Sequence, residues 1–210
     1  MTDLVLTYNH TTNKNFRMRV LAEFLLSLID TYGKQPAFYS GPIFISIADV
    51  WHVLKVIQSI PGMARPVTEA EVNNFLENKL NIQIATVDGK GYPTIQPLWF
   101  LYDHDSGKIY AGTQKMTKKI QNIQRNPDKI YFSIDDEKYP YRGVKGKAIA
   151  TISEDVQKNL SIVNKINMKY LGTLEHPLAK MIIENTKKGT EVVIELVPRF
   201  FSAWDFSKAA

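Results

Sequence analysis

The sequence predicts a mainly β protein with peripheral helices, in which the strands form an antiparallel barrel. Six or so segments show strand patterns, either alternating polarity or a concentration of β-branched and aromatic residues. Tight turns containing Asp and Gly join most of them, which favours antiparallel neighbours. Helical patterns interrupt the strands at only two places, so helices are expected around a sheet and not alternating with its strands.

Two helical patterns precede the predicted barrel. Asn15 to Tyr32 has a broad apolar face and is followed by Gly33, and residues 48–57 form a second pattern that ends before Pro61-Gly62. Met63 follows this break and is a plausible start for a compact domain. We therefore divide the chain into a helical N-terminal extension, 1–62, of unknown role, and a barrel domain, 63–210. Capping the barrel, extending a dimer interface and binding a partner all remain open as roles for the extension.

The first elements of the barrel domain are a helix and two strands. Thr68 to Glu71 has the form of a capping box at the start of an amphipathic helix. Residues 81–87 alternate apolar and polar side chains, as a half-buried strand does, and 88–91 supply an Asp-Gly turn. Residues 92–102 predict one long strand. Its prolines at 93 and 97 cannot donate to a ladder, so we expect them at an edge, at a bulge or where pairing stops.

A third strand is predicted over 108–113, after an Asp-Ser-Gly turn, and a basic helix follows it. The helix is expected to begin around Thr117 and to stop at Asn126-Pro127, with Met116, Ile120 and Ile123 on its apolar face. The later elements are predicted from similar patterns: strands over 129–135, 141–152 and 191–197, helices from Ser153 to about Leu171 and from Pro177 to about Gly189, and a closing segment over 200–205.

The junction between the third strand and the basic helix is the main functional signal. Lys118 and Lys119 fall in the first helical turn, where unpaired N–H groups already carry partial positive charge. Lysines there are favourable only if an anion lies in front of them. Together with the hydroxyls of Thr113 and Thr117, they form a predicted phosphate site. The alternative is an ordinary amphipathic helix whose lysines point to water.

Composition sets further bounds. The 210 residues include no cysteine, which excludes disulfides, thiolate metal sites and a cysteine nucleophile. The net charge of +5 permits anionic ligands. No apolar run reaches the roughly 18 residues of a membrane span, and no signal-peptide pattern opens the chain, so we expect a cytoplasmic protein without a membrane partner. The four histidines are scattered without metal-ligand spacing, and we predict no metal site.

From about Arg65 to Asp205 the chain resembles the pyridoxamine 5'-phosphate oxidase-like, flavin-binding split-barrel family. The order and spacing of several short motifs carry this resemblance, and it covers roughly two thirds of the chain. These motifs are Asp88 to Pro93, Pro97 to Phe100, Thr113 with Thr117 and Lys119 ahead of Asn122 and Asn126-Pro127, Tyr141-Arg142, Gly146 to Ala148, Lys169 to Gly172, and Trp204-Asp205.

The resemblance implies an antiparallel split β-barrel of the flavin-binding type, with the helical extension outside it. It also implies a homodimer, with the cofactor in a groove between the two subunits. Leu98, Trp99 and Phe100 would then line the flavin ring, largely through backbone groups, whereas the residue types by themselves favour core positions for both aromatic side chains. The implied phosphate ligands are Thr113, Thr117, Lys118 and Lys119, with Arg142 and Lys147 as weaker candidates. Trp204 either packs under the barrel or reaches the partner's ring.

The leading functional hypothesis is an FMN-dependent oxidoreductase that transfers a hydride to or from an unidentified small-molecule substrate. The cofactor supplies this chemistry, so no catalytic side chain is assigned. Within the same class, the 8-hydroxy-5-deazaflavin coenzyme is the alternative cofactor, because its acidic tail suits the extra basic residues. A non-enzymatic flavin or haem binder is a second class. Binding to nucleic acid is a third, which we do not favour because the basic residues cluster at one helix start.

Overall fold

The computed structural model describes residues 57–59 and 67–208, all within one compact unit, Trp51–Ala210. The helix predicted over 15–32 lies outside the described residues, as does nearly all of the helix predicted over 48–57. Ile57 instead begins a short strand. The predicted domain boundary at 62/63 stays a prediction.

The described residues form nine strands, four α-helices and one 3₁₀ helix. The strands are β1 (Ile57–Ser59), β2 (Ile82–Val87), β3 (Pro93–Leu98), β4 (Leu101–Asp103), β5 (Lys108–Gln114), β6 (Ile130–Asp136), β7 (Arg142–Ser153), β8 (Glu191–Pro198) and β9 (Phe201–Asp205). The helices are α1 (Glu69–Leu76), α2 (Lys118–Arg125), α3 (Val156–Leu171) and α4 (Pro177–Lys187), with the 3₁₀ helix at Phe206–Lys208.

The strands follow a path that must close on itself. The hydrogen-bonded order is β3-β2-β6-β7-β8-β5-β4, with antiparallel pairing at every step. β9 adds antiparallel to β7, and β1 adds parallel to β9. β3 and β4 lie at opposite ends of this path, yet only Trp99 and Phe100 separate them in the chain. The sheet therefore curls until its two edges meet, which confirms the predicted antiparallel split barrel.

One predicted strand is divided in two. Residues 92–102 were expected to form a single strand, but β3 ends at Leu98 and β4 begins at Leu101 on the other edge of the sheet. The chain leaves one edge and joins the other at Trp99-Phe100. Pro93 and Pro97 lie on β3, which ends the path and pairs with β2, so of the three positions predicted for them the structure shows the edge.

The barrel interior is filled by alternate residues of its strands, and a second core lies outside it. Ile82 and Ile84 of β2 and alternate residues of β8, Val192, Ile194 and Leu196, belong to the interior core. Val193 of β8 belongs to a second cluster, which α3 and α4 complete. Every residue from Glu191 to Leu196 is buried, because β8 has the interior on one side and the helices on the other. The buried members of the second cluster are Tyr110, Ile162, Val163, Ile166 and Val193.

The helices α1 and α2 pack against the interior core, and short sequence signals predicted both. The capping box of α1 is present, with Thr68 and Glu71 bonded reciprocally, as predicted. In α2, Ile120 and Ile123 are buried as predicted, but Met116 is 88% exposed, because it precedes the helix and lies in the turn before it. Asn122 is buried instead, and its Nδ2 donates to the hydroxyls of Thr86 (3.1 Å) and Thr94 (3.2 Å).

Candidate functional site

The corner between β5 and α2 brings together the residues predicted to hold a phosphate. Thr113 is an inward-facing residue near the end of β5 and is only 5% exposed. Three residues separate β5 from α2, so the helix starts close to the end of the strand. The Nζ of Lys119 donates to the Oγ1 of Thr113 at 2.9 Å. The structure thus brings Thr113 and Lys119 into direct contact.

The first turn of α2 carries positive charge and no acidic residue of its own. Thr117 is at the N-cap position in an extended conformation, but its hydroxyl donates to the carbonyl of Gln114 (3.1 Å) and makes no side-chain cap for the helix. Lys118 is exposed, whereas the Nζ of Lys115 is paired with Glu154 at 2.6 Å. An anion at this corner would meet uncapped backbone N–H groups and two lysines.

Glu191 lies beside this corner and was not among the predicted site residues. It is the first residue of β8 and pairs with Gln114 of β5. Burial raises the pKa of Glu191 to about 7, and the charge of Lys119 opposes this rise. Burial also lowers the pKa of Lys119, and Glu191 in turn opposes that change. The two side chains therefore stabilise each other's charged forms in a partly dehydrated place.

A small cavity of about 40 Å³ opens next to Glu191, between the sheet and the helix pair α3–α4. Asn167 of α3 lines it and is 1% exposed, and neither Nδ2 nor Oδ1 of its amide has a hydrogen-bond partner. Trp99 lines the same cavity, so the structure brings the predicted ring-lining segment close to the predicted phosphate corner. The full lining is Trp99, Gly112, Val163, Ile166, Asn167, Ile182 and Glu191.

The crossover at Trp99-Phe100 is held by the C-terminal part of α3. The Tyr170 ring stacks on Trp99 at 4.7 Å between centroids and 7° between planes. Its hydroxyl accepts from the backbone N–H of Phe100 (3.2 Å) and donates to the carbonyl of Leu80 (2.5 Å). Burial raises the pKa of Tyr170 to about 12, so this hydroxyl stays protonated. The backbone N–H of Phe100 lies between β3 and β4 and has no partner in the strand ladder, and the hydroxyl of Tyr170 supplies one.

Lys169 adds a second support to the same crossover. Its Nζ lies 3.9 Å from the centroid of the Phe100 ring and donates to the carbonyl of Leu76 (2.9 Å). Burial lowers the pKa of Lys169 to about 8. Phe100 itself is fully buried in the interior core, and Leu98 packs against that core from the end of β3. Of the three predicted ring-lining side chains, Trp99 is the one that borders the cavity.

Arg142 and Trp204 are not brought to the corner. Arg142 is the first residue of β7, a strand of 12 residues. The last residue of the strand, Ser153, pairs with Val193 of β8, two residues after Glu191. Arg142 and Glu191 therefore lie near opposite ends of β7. Arg142 instead contacts Asp136 at 3.4 Å. Trp204 packs over Gly143, where an added Cβ would lie 2.2 Å from the ring, and Lys145 Nζ lies 5.9 Å from the ring centroid. These residues form a separate cluster at the far end of β7.

Sequence reasoning missed Glu191 and Asn167. The signal for Glu191 was present, since alternation along β8 places it on the same face as Val193 and Glu195. A carboxylate on a face that helices cover is a candidate for a functional role. Asn167 had no comparable signal, because an asparagine inside an amphipathic helix does not show which of its neighbours are polar.

Comparison with known proteins places this chain in a family. The family model described as pyridoxamine 5'-phosphate oxidase matches residues 68–204, which include every described barrel strand except β1 and the last residue of β9. The chain belongs to the pyridoxamine 5'-phosphate oxidase family. No curated protein matches it.

Solved structures of other proteins resemble this chain, and those with TM-scores above 0.5 share its fold. The conserved hypothetical protein Rv2991 from Mycobacterium tuberculosis is 23% identical with a TM-score of 0.60, and the match covers 71% of this chain and 91% of that one. An F420 reductase is 27% identical with a TM-score of 0.49, covering 62% and 94%. ChuZ from Campylobacter jejuni is 14% identical with a TM-score of 0.51, covering 89% and 63%.

Two further findings concern metal binding and membrane crossing. Within residues 57–59 and 67–208, His, Asp and Glu side chains form no group of three that could hold a metal ion. In the same part of the chain, no helix combines the length and the apolar character that crossing a membrane requires.

Proposed function

We propose that this protein is an FMN-dependent oxidoreductase that transfers a hydride to or from a small-molecule substrate. The observation that carries the proposal is the β5–α2 corner, where Lys119 is held against Thr113 in front of an uncapped helix start. Family membership supports a flavin-type cofactor. The substrate is unassigned, because fold-mates in such families act on different molecules.

The residues at the corner fit a phosphomonoester. Its oxygens require several strong donors, and the corner offers the ammonium groups of Lys118 and Lys119, the first-turn amides of α2 and the hydroxyls of Thr113 and Thr117. Thr117 would have to turn its hydroxyl away from Gln114 to donate to the ligand. The charge of the helix start, otherwise unfavourable beside two lysines, is then neutralised.

The side chains around the crossover fit the remainder of the cofactor. Trp99 offers a half-buried ring next to the cavity, and its orientation is fixed by stacking on Tyr170. Phe100 and Leu98 would contribute through backbone groups, although Tyr170 already occupies the N–H of Phe100. When bound, the flavin supplies the hydride chemistry, and the protein binds it, orients it and excludes water.

The proposal includes a homodimer, because Arg142 at the start of β7, and Trp204 on β9 beside it, lie too far from the corner of their own subunit to serve it. We assign them to the groove completed by a second copy. The outer face of the sheet supports this assignment, since Ile95 of β3 is 65% exposed and Tyr131 of β6 is also exposed. Apolar side chains grouped on an open sheet face are typical of an interface.

The deazaflavin coenzyme remains the second candidate, favoured by basic residues that the phosphate does not need. Lys147 is exposed on β7. Lys145 is on the same strand, and its Nζ lies 5.9 Å from the centroid of the Trp204 ring. Both would suit the acidic tail of that coenzyme.

The test is to identify what the protein binds. We expect freshly purified protein to show a flavin absorption spectrum, with FMN identified by mass spectrometry after denaturation. Titration of cofactor-free protein should show binding of FMN and much weaker binding of riboflavin, the matched control without the phosphate. Equal affinity for both would contradict the phosphate site. Binding of the deazaflavin coenzyme alone would select the second candidate, and a haem spectrum would overturn the flavin proposal.

A further inference from the structure

We propose that Glu191 takes up a proton when the phosphoryl group binds at the β5–α2 corner, with Asn167 as its hydrogen-bond partner in the cavity. The inference rests on the proposed function, because it concerns the same corner. It makes Glu191 a positioning residue that acts on the cofactor through Lys119. Cofactor affinity is therefore tied to pH near neutrality.

Among the described residues, Lys119 is the charged group whose electrostatic effect on Glu191 is resolved. Lys119 approaches from α2 and interacts with it electrostatically. The other elements packed around the cavity present uncharged side chains: Gly112 from β5, Val163, Ile166 and Asn167 from α3, and Ile182 from α4. The carboxylate reaches over Gly112, where an added Cβ would lie 3.8 Å from Oε1. Burial and the charge of Lys119 together therefore set whether Glu191 is ionised.

Lys119 cannot compensate two anions equally. In the free protein it donates to Thr113 and stabilises the ionised form of Glu191. A phosphoryl group that binds Lys119 brings negative charge close to Glu191, and like charges in a partly dehydrated site repel strongly. Protonation of Glu191 removes this repulsion. Since burial already raises the pKa of Glu191 to about 7, a small further rise is enough to change its charge near neutral pH.

The buried amide of Asn167 supports the proton uptake independently of Lys119. Both polar atoms of its amide are buried without a partner, which is costly unless a ligand or a neighbouring group satisfies them. It lines the same cavity as Glu191. An amide can serve either protonation state, since Nδ2 donates to a carboxylate and Oδ1 accepts from a protonated carboxyl. The cavity of about 40 Å³ also has room for a bridging water.

The experiment compares FMN binding by the wild-type protein and by Glu191→Gln. Calorimetric titrations near pH 7 in two buffers of different ionisation enthalpy give the number of protons taken up. The ionisation of the FMN phosphate is common to both proteins and cancels in the difference. We expect the wild type to take up roughly half a proton more than the variant. From pH 6 to 8.5 its affinity should fall roughly three- to tenfold more than that of the variant.

Glu195→Gln is the matched control, because Glu195 lies on the same face of β8 but pairs with Lys108 and Lys158. It should keep the proton uptake of the wild type. Equal uptake by wild type and Glu191→Gln, with FMN bound by both, overturns this inference and leaves the proposed function standing. Absence of FMN binding by the wild type at every pH overturns both.

A second measurement covers the case in which Glu191→Gln does not fold. The wild-type protein is titrated with inorganic sulfate, which does not change its ionisation in this pH range. Infrared difference spectra should show a carboxylate band lost and a protonated carboxyl band gained when sulfate binds. In Asn167→Ala the band of the protonated carboxyl should appear at a different frequency, because the hydrogen bond from Asn167 to the carboxyl is missing. Sulfate binding without any carboxyl band overturns the inference.

Discussion

Lys119 connects the two halves of the candidate site. Its ammonium group donates to Thr113 on one side and lies within the electrostatic reach of Glu191 on the other. Burial disfavours its charged form, so the protein retains this cation at a cost. Lys118, its neighbour in the same turn, is exposed and carries no such cost. A half-buried cation that is bonded to a hydroxyl and stabilised by a nearby carboxylate is better preorganised for an anion than an exposed one.

We therefore expect Lys119→Ala to weaken FMN binding by about 1–3 kcal/mol, the usual loss for a charge-assisted contact. The fold should be retained, because the side chain is only half-buried. Fluorescence titration of FMN measures the affinity, and circular dichroism checks the fold. Lys129→Ala removes an exposed lysine just beyond the end of α2 and should change affinity little. Equal affinity in wild type and Lys119→Ala would remove the phosphate site from this corner.

Glu191 should also make the free energy of unfolding depend on pH without any ligand. Its pKa is about 7 in the folded protein against an ordinary value of 4.5, so the folded state holds a proton that the unfolded state has lost in between. Stability from this group is present below pH 4.5 and lost as pH rises through 7. Between pH 5 and 8, denaturant unfolding should show the wild type losing about 1–3 kcal/mol more than Glu191→Gln. Parallel curves would mean that Glu191 is ionised throughout.

At the scale of single residues, the sequence predicted the corner but not its neighbours. Thr113, Thr117, Lys118 and Lys119 were predicted as phosphate ligands because strand-to-helix junctions have local signals and lysines in a first turn are unusual. Glu191 is 72 residues after Lys119, and only the pairing of β5 with β8 brings them together. Such a contact depends on strand order, which local patterns do not contain.

Among the elements, the crossover between β3 and β4 depends on α3. A strand that stops pairing leaves backbone groups that need partners, and Tyr170 satisfies the N–H of Phe100 and the carbonyl of Leu80 with one hydroxyl. Lys169, the preceding residue, does the same for the carbonyl of Leu76. The end of α3 thus links α1, β3 and β4 at the point where the barrel closes.

Tyr170→Phe should therefore destabilise the protein by about 1–3 kcal/mol, because it leaves two partly buried backbone groups unpaired while keeping the ring that stacks on Trp99. Denaturant unfolding followed by fluorescence measures this change. The matched control is Tyr139→Phe, since Tyr139 is 82% exposed and contacts the ring of Tyr141. A loss no larger than in the control would show that the hydroxyl of Tyr170 does not support the crossover.

The same crossover explains why the prediction of one strand over 92–102 was wrong. Aromatic and β-branched residues continue through Trp99 and Phe100, so local composition gives no reason to end the strand at Leu98. What ends it is the arrival of the other sheet edge, a property of the closed barrel. The prolines at 93 and 97 were interpreted correctly as edge residues because their missing N–H is a local property.

On the scale of the whole molecule, the barrel treats its two outer faces differently. The face formed by β5 and β8 is covered by α3 and α4, which buries Val193 and Tyr110. On the opposite side, register places Ile95, Ala85 and Tyr131 in one row across β3, β2 and β6. Ile95 and Tyr131 are exposed, so this row presents apolar surface. The sequence predicted the barrel from turns and strand patterns, but which face stays open follows from where α3 and α4 pack.

The open face with Ile95 and Tyr131 leads to a prediction about how two copies of the chain assemble. If a second copy covers the row at Ile95, a lysine there would bury a charge in the interface, so Ile95→Lys should shift the protein from dimer to monomer. Light scattering at micromolar concentration measures the mass, and FMN affinity should fall together with dimer content, since we assign Arg142 and Trp204 to the partner's groove. Met181→Lys places the same charge on the exposed side of α4, where Met181 is 52% exposed, and should leave the dimer intact. A wild type with the mass of one chain, or Ile95→Lys with that of two, would contradict an interface on this face.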